Sequence, residues 1–146
     1  MTRERSTDTA SATGIAPWLS VADATRAVAF YVRAFGAVEV ERLEGGEGRV
    51  EVAQLSIGAA TFWVQHDPES SPEALGGRSP VRMILVVPDP DRVFAQAIAA
   101  GATAIGAVHE EHGWRAGRLA DPFGHQWEVA RRVLGQRVDV HAREEP

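Results

Sequence analysis

The sequence predicts an α+β protein in which two βαβββ modules form an open, curved mixed sheet around a cleft. Three observations predict it. A strand, an aspartate, an amphipathic helix and a glycine follow one another twice, with Asp23 and Asp89 lying 66 residues apart. Each helix is followed by three stretches of strand character separated by turns. The chain then closes on residues 117–129, GRLADPFGHQWEV: a strand, an Asp-Pro-Phe-Gly turn and a second strand carrying Glu128. A sheet with a helix on one face leaves the other for water or a ligand, so two such units can curve around a shared cleft.

The elements follow in order. Residues 1–13 are rich in Ser, Thr and charge and are expected to form a disordered tail. The first module spans residues 14–66. It opens with a strand at 15–21, and Asp23 caps a helix over Ala24–Phe35. Ala27, Val28, Phe30, Tyr31, Ala34 and Phe35 recur on one face of it, and Gly36 ends it. Strands follow at 38–43, Val50–Ile57 and 60–65, with turns at 44–48 and at Gly58-Ala59. Residues 67–80, with several Pro and Gly, read as a linker, and His66 is read as its neighbour in the same loop. The second module, 81–133, repeats the pattern. It has a strand at 81–87, a cap at Asp89 or Asp91, and a helix whose apolar face is Val93, Phe94, Ala97, Ile98 and Ala100. Gly101 closes that helix, and strands follow at 104–109, Trp114–Ala120 and 126–131. Residues 134–146 form a polar tail containing His141.

Composition narrows the function. The chain has 146 residues, 45% of them hydrophobic and 24% charged, enough for a core without covalent staples. It has no cysteine, which excludes disulfides, thiolate metal sites and a cysteine nucleophile. All 15 basic residues are arginine, so neither a Schiff-base lysine nor a lysine-containing phosphate loop exists. A net charge of −5 argues against a nucleic-acid partner. Residues 1–14 hold no apolar signal segment, and no run approaches the ~18–20 apolar residues of a membrane span. A cytoplasmic protein without a membrane partner is expected.

The doubled module, the strand-Asp-helix-Gly opening and the DPFGHQWEV ending resemble the vicinal oxygen chelate superfamily, which includes glyoxalase I, extradiol dioxygenases, fosfomycin-resistance enzymes and bleomycin-resistance proteins. The form Asp-Pro-Phe-Gly-His-x-Trp is most similar to the PhnB-like or bleomycin-resistance-like branch. The resemblance implies two modules per chain and a homodimer. It also implies a divalent metal held by His, Glu or Gln from the first and last strands of the modules. The family's first ligand lies seven residues before the helix-starting Asp, which is Ala16 here; the same count from Asp89 gives Arg82. The third position falls on Phe62 or Trp63. Glu128, at the fourth, is the one ligand-type side chain retained. One donor of four does not hold zinc, nickel, manganese or iron.

Strand alternation assigns the faces. Met83, Leu85 and Val87, together with Val81, should lie under the helices, leaving Arg82 toward the cleft. Trp127 and Val129 should face the helices, and Gln126 and Glu128 the cleft. Ala16, Trp18 and Ser20 share the cleft face of the first strand. Arg82 and Glu128 are expected to meet as an ion pair where a metal would otherwise sit. Trp18, Trp63 and Trp114 supply flat apolar walls, and Phe62 competes with Trp63 for the inward position. His109 and His112 flank a turn, and His125 is expected to hydrogen-bond the turn beside Asp121. The expected function is binding of a small, partly aromatic molecule by a homodimer with no cofactor, the ligand touching Trp18, Ser20, Phe62, Trp63, Arg82, Trp114, Gln126 and Glu128. The alternative is a metal-dependent lyase or dioxygenase using Glu128, with Zn, Ni, Mn or Fe as cofactor.

Overall fold

The computed structural model describes residues 12–71 and 80–133. The tails expected at 1–13 and 134–146 lie outside the described residues, apart from Ala12 and Thr13, as does most of the linker. The first module runs β1 (Trp18–Val21), α1 (Ala24–Phe35), β2 (Val38–Glu44), a short 3-10 turn, β3 (Val50–Ile57) and β4 (Ala60–His66). The second runs β5 (Arg82–Val86), α2 (Pro90–Ala100), β6 (Thr103–Glu111), β7 (Trp114–Ala120) and β8 (Gln126–Arg132). Each module is a four-stranded mixed sheet with its first strand beside its last. The orders are β1-β4-β3-β2 and β5-β8-β7-β6, with β1–β4 and β5–β8 parallel and the other pairs antiparallel.

The helices begin where the sequence places them. The Asp23 side chain accepts from Arg26 N, and Asp89 does the same for Arg92 N, so each carboxylate satisfies an orphan N–H of the first turn. Asp89 is therefore the cap and Asp91 lies inside the helix, freed to bind elsewhere. Gly36, at φ 71° and ψ 28°, supplies the left-handed residue that stops α1. His66 differs from expectation. It is the last residue of β4, and its Nδ1 accepts from Ala24 N at 3.1 Å, giving α1 a second cap from across the module. Val81 also differs: it is exposed, because β5 starts one residue later.

The helix-side faces of both sheets share one core. Tyr31 is fully buried, with Phe62 at 5.4 Å on one side and Trp127 at 5.6 Å on the other, and Phe62 and Trp127 lie 5.5 Å apart. Phe30, Phe35 and Phe123 extend this aromatic cluster. Its polar centre is Asp121, the first residue of the Asp-Pro-Phe-Gly turn and itself buried. One carboxylate oxygen accepts from Tyr31 Oη at 2.5 Å and Trp127 Nε1 at 3.0 Å. The other accepts from the backbone of Phe123 and His125. A buried carboxylate needs such a set of donors, and here the set joins one module to the other. The His125 ring does not turn back on its own loop as expected. Its Nε2 hydrogen-bonds Ser20 O, on β1, at 2.8 Å, a further tie between the modules.

Candidate functional site

With the helix sides buried in a common core, the opposite sheet faces are open. The open face of the second module forms a concavity of about 370 Å³. Its floor is Arg82 of β5, Glu128 of β8, and Arg118 and Ala116 of β7. Trp114 forms one wall, and His109, Glu111 and His112 form the rim. Alternation and register put these together: Arg118 stands opposite Glu128 in the β7–β8 ladder, and Ile84 stands beside Glu128 in the β5–β8 ladder.

Arg82 Nε donates to Glu128 Oε1 at 2.8 Å. The Glu128 side chain is 19% exposed and that of Arg82 43%, so the carboxylate sits deeper than its partner. Arg118 makes one long contact, from a terminal amino group to Gln126 Oε1 at 3.4 Å, and its Nε is buried without a partner among the described residues. The Arg132 guanidinium lies over the Trp114 ring at 4.7 Å, holding the wall in place. At the rim, His109 and His112 both reach Glu111. The Ala107 carbonyl and Glu111 together raise the His109 pKa above its usual value, the carbonyl having the larger effect.

The other expected site residues lie elsewhere. Trp18 and Trp63 stack on the open face of the first module, centroids 5.9 Å apart, and Trp18 Nε1 donates to Gln65 Oε1 at 2.8 Å. Ser20, two residues along β1, shares that face. These residues do not line the concavity. Phe62 is a correction: the β1–β4 register pairs Trp18 with Trp63, which turns Phe62 to the helix side, where it is 4% exposed in the core. Gln126 touches the site through Arg118. Arg118 itself was not singled out from the sequence. Its signal was present in the alternation of β7, since it shares parity with Trp114.

The internal repeat tests whether a metal fits. Trp18 and Ile84 lie 66 residues apart, and their register partners are Trp63 and Glu128. Trp63 therefore holds in the first module the place that Glu128 holds in the second. The four family positions are Ala16, Trp63, Arg82 and Glu128: one carboxylate, one guanidinium and two groups that cannot coordinate. Among the described residues no group of three or more His, Asp or Glu side chains is placed to hold a metal ion. The donor set does not fit a catalytic divalent metal.

Comparison with known proteins agrees with the fold. The family model for a glyoxalase-like domain matches residues 18–130. An uncharacterised protein of Mycobacterium bovis is 38% identical over 133 residues, covering 86% of this chain and 87% of that protein. Among solved structures, TioX from Micromonospora sp. ML1 superposes with a TM-score of 0.64 at 28% identity, covering 84% of this chain and 98% of TioX. A variant of the fosfomycin resistance protein FosX from Listeria monocytogenes, in complex with Mn(II) and a dihydroxypropylphosphonic acid, superposes with a TM-score of 0.67. At 19% identity over 89% of this chain and 98% of that one, it shares the fold alone. The chain belongs to the glyoxalase-like domain family, within the vicinal oxygen chelate superfamily.

Proposed function

We propose that this protein binds a small, partly aromatic molecule on the open face of its second module, as a homodimer and without a catalytic metal. The observation that carries this reading is the Arg82–Glu128 ion pair at 2.8 Å. It occupies the retained ligand position with a fixed cation and leaves a pocket rather than a Lewis acid. Trp114 and Ala116 offer an apolar surface for a flat ligand, and the charged floor orients it. The homodimer is supported by large apolar side chains exposed on both open faces: Trp18 at 53%, Leu43 at 64%, Ile84 at 55% and Val86 at 62%.

Calorimetric titration of zinc, nickel, manganese and ferrous iron into chelator-treated protein tests the metal-free reading. No stoichiometric binding is expected. A tight one-to-one complex with any of them would overturn it in favour of a metal-dependent lyase or dioxygenase. Tryptophan-fluorescence titration with flat aromatic compounds should give saturable changes that Trp114→Ala abolishes.

A further inference from the structure

The floor of the second-module pocket carries one uncompensated positive charge. Arg82 and Arg118 supply two guanidinium groups, and Glu128 is the carboxylate between them. Glu128 is engaged by Arg82, and no carboxylate among the described residues forms an ion pair with Arg118. The remaining acid of the lining, Glu111, stands apart at the rim, where it is hydrogen-bonded to His109, so the excess belongs to the floor alone. This excess lies within a chain whose net charge is −5. Arg118 lines this pocket and its one hydrogen bond, to Gln126 Oε1 at 3.4 Å, is long, so a ligand that supplies a better acceptor to its terminal amino groups gains affinity.

Resting on the ligand-binding reading above, we infer that the ligand is an aromatic monocarboxylic acid: one planar, singly charged oxyanion joined to a flat apolar body. The guanidinium fork matches a carboxylate edge in shape and charge. One negative charge balances the floor, whereas a doubly charged phosphate would set its second charge against Glu128, directly opposite Arg118 in the ladder. The flat body follows from the wall, where the Trp114 ring is backed by Arg132 on one face and flanked by Ala116 in the pocket.

Isothermal titration of the full chain with naphthoate, naphthamide and naphthyl phosphate tests this. Naphthoate should bind roughly tenfold to hundredfold more tightly than the isosteric amide, the range a charge-assisted hydrogen bond provides. Arg118→Gln should remove that difference, and Arg118→Lys should keep part of it, because the charge remains while the fork is lost. Thermal unfolding checks each variant. Should Arg118→Gln not fold, the comparison of acid with amide on the unaltered chain still decides. Equal affinity for acid and amide would overturn the carboxylate inference while leaving small-molecule binding intact. Tighter binding of naphthyl phosphate than of naphthoate would overturn the single-charge assignment. Absence of binding by all three would overturn both the inference and the reading beneath it.

Discussion

Tyr31 is the chain's one tyrosine, and the chain has neither lysine nor cysteine. Between the histidines and the arginines, Tyr31 is therefore the side chain whose titration dominates the alkaline range. Burial, and then the Asp121 charge and hydrogen bond, raise its pKa well above the ordinary 10.0. Folding thus favours the protonated phenol. That contribution is fully present below the unfolded pKa and is lost as pH rises from there through the higher folded value. Tyr31→Phe should lower stability at neutral pH by about 1–3 kcal/mol, because Asp121 loses one of its buried donors. The same variant should show a flatter decline above pH 10 than the unaltered chain. Urea unfolding across alkaline pH measures both. Parallel profiles for the two proteins would refute the assignment. The periodicity of α1 already put Tyr31 on a buried face, but its bond to Asp121 spans 90 residues and no local pattern carries it.

At the scale of the element, the β7–turn–β8 hairpin joins the helix-side core to the open pocket. Gly117 faces α2, and a Cβ there would come within 2.7 Å of Val108 Cγ2 and 2.8 Å of Phe94 Cδ2. Its absence lets α2 lie close on the sheet while its neighbours Ala116 and Arg118 face the pocket. Gly117→Ala should therefore cost about 1–3 kcal/mol through overpacking. Gly106→Ala, in β6 with nothing within 4 Å, should change stability by less than about 0.5 kcal/mol. Thermal or urea unfolding of the pair checks the contrast, and equal costs would show that α2 can yield. The bidentate contact of Arg115 with Asp91, both distances 2.6 Å, fastens the same hairpin to the first turn of α2. It lowers the Asp91 pKa through the hydrogen bond first. Asp91 is exposed and Arg115 only half-buried, so solvent screens the pair and it positions the hairpin more than it stabilises the fold.

For the whole molecule, the two modules share one core and turn their open faces outward. The apolar rows on those faces correspond across the repeat, with Trp18 matching Ile84. Sedimentation velocity of the full chain is expected to show a dimer, and Ile84→Glu should shift it toward monomer. Ile84 is 55% exposed, so the substitution leaves the monomer's own packing in place. A wild-type chain that sediments as a monomer at all concentrations would refute the homodimer.

The sequence by itself determined the modules, the Asp23 cap of α1, the glycines that end both helices and the side of each sheet that Trp127, Leu85, Arg82 and Glu128 occupy. These follow from local rules: a 3.6-residue or two-residue period, a carboxylate before a helix, a glycine after it. It also led to Arg82 beside Glu128, because β5 and β8 are the first and last strands of one module and alternate in phase. Tertiary structure alone decided the rest. Which of Asp89 and Asp91 caps α2 was decided by the structure. The choice between Phe62 and Trp63 turned on a one-residue register, which only the β1–β4 pairing fixes. The reach of His125 to Ser20 and the role of His66 as a cap depend on contacts 105 and 42 residues apart. The separation of the Trp18–Trp63 face from the Arg82–Glu128 pocket depends on how the modules pack. A periodic pattern states which face of a sheet is apolar, but not which other face it will meet.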